Sequence, residues 1–117
     1  MKHLVVLGTV AMLSACVSVS DAGYYWGNYN KTSYAVVNEP SKESLEAHVS
    51  ELNRIIDESN KKELRVPPGI YAELGYSLSK LGRGAESEQY FQMEGELYPE
   101  SRAFIEKISE AGMGGES

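Results

Sequence analysis

A chain of 117 residues has room for a single domain that buries about 60 to 65 per cent of its unfolded surface. Asp and Glu outnumber Lys and Arg by 17 to 11, for a formal charge of -6, so the composition lacks the basic face that phosphate chains require and argues against nucleic acid as a partner. The acidity favours solubility and disfavours adsorption of the domain itself to anionic lipid.

Met1-Lys2-His3 is a short positive start, and Leu4 to Met12 is an apolar run too short to span a bilayer. Leu13-Ser14-Ala15-Cys16 then reads as a lipobox. On this reading residues 1–15 are a lipoprotein signal peptide, Cys16 carries the acyl chains, and that covalent lipid is the chain's one non-protein group. Membrane affinity comes from the lipid, at about 0.8 kcal/mol per buried methylene. An ordinary signal peptidase fits a cut before Cys16 badly, because Leu13 would occupy a small-residue position. Ser20-Asp21-Ala22 suits such an enzyme better and would yield a secreted product beginning at Gly23; a retained N-terminal helix is a third alternative. Cys16 is the only cysteine, and a lone thiol in an oxidising compartment is a liability unless lipidation uses it. Val17 differs from the Asp that resembles an inner-membrane retention signal in enteric lipoproteins. That resemblance implies the outer membrane of a bacterial envelope, with the domain facing the periplasm.

Residues 16–23 form the acylated cysteine and a tether. The six residues Val17 to Ala22 hold the next segment within about 20 Å of the lipid. Residues 24–40 form an irregular aromatic segment containing Tyr24-Tyr25-Trp26-Gly27-Asn28-Tyr29 and Tyr34. Three readings stand side by side: Gly27 and Asn28 turn the chain so that the rings pin it to the helices behind; the rings lie in the lipid interface; or they anchor a protein or glycan partner. Whether Trp26 is buried decides between the structural and the functional readings.

From residue 41 to 111 the pattern is all-α, with about four helices. Ser41 is an N-cap with Glu43 in the first turn, and Leu45, Val49, Leu52 and Ile56, with Ile55 beside them, mark the buried face of a helix ending at Asn60-Lys61-Lys62. Val66-Pro67-Pro68-Gly69 forces an extended turn. A second helix opens at or just after Pro68, carries Tyr71, Leu74, Leu78 and Leu81 on one face, and stops at Gly82-Arg83-Gly84. The third has Tyr90, Phe91, Met93, Leu97 and Tyr98 as apolar members before Pro99 breaks the chain. Glu100 to Ala111, with Phe104, Ile105 and Ile108, is the fourth, and 112–117 is a glycine-rich tail expected to lack order.

Counting Pro68 as the first of a window of about 34 residues, Tyr71, Leu74, Gly75, Gly82, Phe91 and Pro99 fall where a tetratricopeptide repeat carries its aromatic, small and helix-ending residues. The resemblance implies antiparallel helical hairpins, with Gly75 allowing close approach, Phe91 filling the gap and the flanking helices capping a single repeat. Leu78, Ser87 and Glu94 depart from the pattern. Glu94 departs most, because a small residue normally permits tight packing there. Tyr25-Trp26-Gly27-Asn28-Tyr29 and the run from Val66 through Tyr71-Ala72-Glu73-Leu74-Gly75-Tyr76 resemble a family of small bacterial lipoproteins called a domain of unknown function, over nearly all of residues 24–105. No activity is established for that family. Its members resemble neighbours of a lipoprotein similar to the curli export channel, which implies an envelope complex.

Chemistry-bearing patterns are few. His48 is read as a surface or edge-packing histidine, no metal cluster assembles, and no serine stands with His48 in a nucleophile motif. Gly82-Arg83-Gly84 is a hairpin turn rather than a phosphate loop, the many carboxylates read as solvated helix faces, and Asn30-Lys31-Thr32 matches a glycosylation sequon by accident. The expectation is a non-enzymatic adaptor whose groove, made by the first two or three helices, holds part of another envelope protein, with Tyr25, Trp26, Tyr29, Asn53, Tyr76 and Lys80 making contact. The alternative is a pilotin-like chaperone that targets a pore subunit to the outer membrane.

Overall fold

The computed structural model describes residues 23–114. Residues 1–22 and 115–117 lie outside them, and with them the expected signal peptide, Cys16 and the expected tether. The described residues are all helical: α1 (Tyr29–Asn38), α2 (Lys42–Lys61), α3 (Ile70–Lys80), α4 (Gly84–Leu97), a 3-10 turn (Pro99–Ser101) and α5 (Arg102–Gly114). Short connections make neighbours antiparallel, so α1–α2 and α3–α4 form two hairpins, with α5 lying against both α3 and α4.

There are five helices rather than four, because the second half of the segment expected to be irregular, 24–40, is α1. Its residues have modest helix propensity, and the local pattern gives little notice of a helix that buries none of its residues completely. Gly27, at a φ of 49°, makes the turn that starts it, and the Tyr29 N–H donates to the Trp26 carbonyl at 3.0 Å. Pro40 then bars continuation. At the other end the tail expected from residue 112 is helical as far as Gly114.

Ser41 caps α2, and the cap is reciprocal. The Ser44 N–H donates to the Ser41 hydroxyl oxygen and the Ser41 N–H to the Ser44 hydroxyl oxygen, both at 3.0 Å. The buried face of α2 comprises His48, Val49, Glu51, Leu52, Ile55 and Ser59. It is rotated from the expected stripe, with Leu45 and Ile56 only half-buried, because α1 covers the His48 and Glu51 side of the helix. Ser59 is fully buried and its hydroxyl has no hydrogen-bond partner. Ser59→Ala removes that unsatisfied group at little cost in packing and is expected to stabilise the domain by about 1 kcal/mol, read as a higher Tm.

Helix α3 is central. Ile70, Leu74 and Leu78 are at most 3 per cent exposed, and they share a core with Val49, Leu52 and Ile55 of α2, Val66 of the preceding turn and Tyr71. A Cβ built on Gly75 would meet the Ser87 carbonyl oxygen at 2.9 Å and the Phe91 ring at 3.0 Å, so only glycine permits this approach of α3 to α4. Tyr71 stacks on Tyr90 with ring centroids 6.2 Å apart. Gly82, at a φ of 79°, ends α3, and the Arg83 N–H folds back to the Leu78 carbonyl at 2.9 Å. Pro99 opens the 3-10 turn that redirects the chain into α5. Two expected core residues face outward: Met93 is 39 per cent exposed and Phe104 is 58 per cent exposed. The apolar stripes of α4 and α5 are carried instead by Phe91 and Ile105.

Glu94 is 1 per cent exposed, and its burial has a visible cause. One carboxylate oxygen accepts the Gly69 N–H at 3.0 Å and the other the Ala72 N–H at 3.1 Å, so the side chain caps α3 from a neighbouring helix. The first N–H groups of a helix have no partner within it and carry the positive end of its dipole. Gly69, at a φ of 91°, has no side chain with which to do this itself.

Candidate functional site

The aromatic segment is fastened to α2 by polar contacts. Arg54 donates from Nε and Nη2 to the two Glu51 carboxylate oxygens, at 3.0 and 2.7 Å, and from Nη1 to the Tyr25 hydroxyl at 2.8 Å. The Asn28 N–H donates to the same Glu51 carboxylate at 2.8 Å. Arg54 holds the Glu51 carboxyl below the usual carboxylate range, with the Asn28 N–H adding to the effect against the opposing influence of burial. A Cβ on Gly27 would come within 2.5 Å of the Glu51 carboxylate, so glycine is what lets the turn lie on the helix. Tyr25 therefore belongs to a clasp, with Arg54 and Lys62 both over its ring.

A second network ties three helices together. The Tyr29 hydroxyl donates to one Glu73 oxygen at 2.6 Å, His48 Nε2 lies 2.6 Å from the other, and the Thr32 hydroxyl is 2.8 Å from His48 Nδ1. His48 is 1 per cent exposed, in contrast to the surface or edge position expected of it. The ring is buried because α1, absent from the expected fold, closes over it. Hydroxyl, imidazole and carboxylate stand in the order of a nucleophile triad, but the carboxylate is partly open to solvent. In a triad the carboxylate is buried and the hydroxyl opens to substrate. Here the Glu73 side chain is 31 per cent exposed, and Thr32 sits within α1, with its hydroxyl 3.4 Å from the Tyr29 carbonyl. The chain of bonds acts as a strut linking α1, α2 and α3.

Burial, together with the Glu73 hydrogen bond and charge, pushes the Tyr29 phenol up to about 12. A folded-state value above the unfolded one means that this contribution to stability is complete below about pH 10 and is lost as pH rises towards 12. Tyr29→Phe is expected to make the alkaline loss of stability shallower, measured by urea unfolding across that range. It will not abolish the loss, because burial also raises the Tyr71 and Tyr98 phenols.

Glu73 has its outer side in a groove of about 410 Å3 between α3 and α5, lined by Gly69, Ala72, Glu73, Tyr76, Phe104, Ile108 and Ala111. Small residues on both walls leave the space, and the exposed Phe104 ring forms one lip. This is not the groove expected from the first helices, because α1 occupies that side and brings Tyr29 onto Glu73. Of the residues read from sequence as contacts, Tyr76 lines the groove and Lys80 holds its ammonium 5.3 Å from the centre of the Tyr76 ring. Tyr29 backs Glu73, and Trp26, 42 per cent exposed, packs edge-on to Tyr29 with centroids 5.5 Å apart. Tyr25 is held in its clasp with Arg54. Asn53 is exposed on α2, bonded to the Val49 carbonyl, and does not line the groove. Cys16 lies outside the described residues. Sequence reasoning missed the groove's acid wall at Glu73 and the Thr32–His48 strut; a charged residue one turn into an otherwise apolar helix was the available signal for Glu73.

Among curated proteins and among solved structures, no match to the chain was found. The sequence matches the family described as "Domain of unknown function (DUF4810)" over residues 24–108, and the chain belongs to that family.

Proposed function

We propose that the protein is a membrane-tethered, non-catalytic interaction module of the bacterial envelope. Acyl chains on Cys16 hold it at the periplasmic face of the outer membrane, and the α3–α5 groove receives a short apolar segment of another envelope protein. The groove carries this reading. Its volume of about 410 Å3 falls within the size range of ligand pockets, its walls are Ala72, Tyr76, Phe104, Ile108 and Ala111, and a single carboxylate, Glu73, is held in place by Tyr29 and His48. A segment with apolar side chains one helical turn apart and a Lys or Arg facing Glu73 matches that lining. The lipobox, the tetratricopeptide-like spacing around α3 and α4, and the resemblance to lipoproteins found beside an export-channel-like lipoprotein all support the same reading.

A photo-crosslinking residue at Ile108 in cells is expected to capture one partner in stoichiometric amounts. Phe104→Asp should abolish that capture with no loss of helical circular dichroism, because Phe104 is 58 per cent exposed. Equal capture by wild type and Phe104→Asp would sink the proposal.

A further inference from the structure

The carboxylates of this acidic chain are unevenly placed. None of the 17 lies in residues 23–38, where the one charged side chain is Lys31. Yet this stretch holds four of the six large exposed apolar side chains among the described residues: Tyr24, Trp26, Tyr34 and Val37. Helix α1 rests on α2 and turns Tyr29, Thr32, Ser33 and Val36 inward. Lys31, Tyr34, Val37 and Asn38 are left on its outward face with no neighbouring element. Cations gather where the chain enters the domain. Arg54 and Lys62 stand at 5.7 and 5.4 Å from the centre of the Tyr25 ring and Arg65 at 5.2 Å from that of Tyr98. The acids along the same stretch are Glu51, hidden in its pair with Arg54, the exposed Asp57, the half-buried Glu58 and the exposed Glu63.

We propose that the aromatic turn and the outward face of α1 lie in the headgroup layer of an anionic lipid surface, as a second point of attachment beside the acyl chains. The inference rests on the reading of Cys16 as the anchor. From there, the six residues Val17 to Ala22 reach at most about 20 Å, so the face that begins at Gly23 never leaves the vicinity of the headgroups. Tyr and Trp favour that layer, with an apolar ring body and a polar edge. Lys31 adds attraction to anionic headgroups, and the stretch between Asp21 and the exposed Glu39 has no carboxylate, which lessens the repulsion that the rest of this chain would meet. A soluble partner would need no such placement beside the tether. Held at two points, the domain has a fixed aspect to the bilayer.

Trp26 is the only tryptophan and reports on this face directly. In the acylated mature protein, Cys16 to Ser117, reconstituted into phosphatidylethanolamine–phosphatidylglycerol vesicles, its emission is expected to shift to the blue. Lipids brominated on their acyl chains should quench it, and aqueous iodide should not. Tyr34→Asp with Val37→Asp reverses all three effects while leaving the helical circular dichroism unchanged. Lys31→Glu lowers the ratio of docked to undocked domain by at least about five-fold, the worth of one basic residue at an anionic surface. Flotation with the vesicles and the mass of the N-terminal peptide report on the anchor separately. A protein that is acylated and floats while Trp26 stays unquenched by brominated lipid overturns the docking alone; one that is unacylated and fails to float overturns both. Emission that shifts with protein concentration in detergent, and is indifferent to brominated lipid, assigns the face to a second copy and also overturns the proposal.

Discussion

Glu94→Ala is expected to destabilise the domain by about 2 to 4 kcal/mol, although it installs the small residue that a tetratricopeptide repeat favours at this position. The carboxylate is buried and satisfies the Gly69 and Ala72 N–H groups at the start of α3. Removing it leaves the buried Ala72 N–H and the half-buried Gly69 N–H without their partner, at up to about 1 to 3 kcal/mol each, and adds a cavity where the side chain stood. Against this, alanine escapes the cost of burying a charge, which is why the expected loss is less than the simple sum. Glu94→Gln separates the contributions. It keeps one acceptor oxygen and the volume but loses the charge at the helix dipole, and should fall between wild type and Glu94→Ala. The measurement is urea unfolding followed by circular dichroism. An unchanged or raised midpoint in Glu94→Ala would mean that the cost of burying the carboxylate outweighs the cap.

The helices legible in the sequence were those whose boundaries are set by local chemistry. Ser41, Pro67-Pro68, Gly82 and Pro99 act through their own backbone and side-chain geometry, and α2, α3 and α4 begin and end beside them. Leu74, Gly75 and Phe91 were legible for a similar reason, since the helical spacing that brings them together lies within one hairpin. What could not be read depends on contacts distant in sequence. Helix α1 has no completely buried residue and is held by Tyr29 reaching Glu73, 44 positions away, and by Asn28 reaching Glu51, 23 away. Missing α1 in turn misplaced the buried face of α2 and left His48 on the surface. Glu94 looked like a flaw in a repeat because its partners, Gly69 and Ala72, precede it by 25 and 22 residues. The groove was half legible. Tyr76 is an expected contact, whereas Phe104 is expected in the core, since an apolar residue beside Ile105 gives no local sign of which of the two turns inward.

Leu74→Asp is expected to abolish cooperative unfolding altogether. The residue has no exposed surface and sits within the core shared by α2, α3 and the turn at Val66. Losing a buried leucine costs about 2 to 5 kcal/mol before any charge is considered. The aspartate must then either be buried without a partner or take up a proton, for several kcal/mol more. Domains of this size stand only about 5 to 15 kcal/mol above their unfolded chains, so the combined penalty consumes most or all of the margin. The comparison that gives this result meaning is Phe104→Asp, the same kind of substitution on the neighbouring α5. There the ring is largely in water, and the expected change is within about 0.5 kcal/mol. If the two variants melt alike, the helix register that puts Leu74 inside and Phe104 on the lip of the groove is wrong. If Leu74→Asp unfolds while Phe104→Asp folds and loses its crosslinked partner, the side chains that hold the domain together are separated from those that engage the partner.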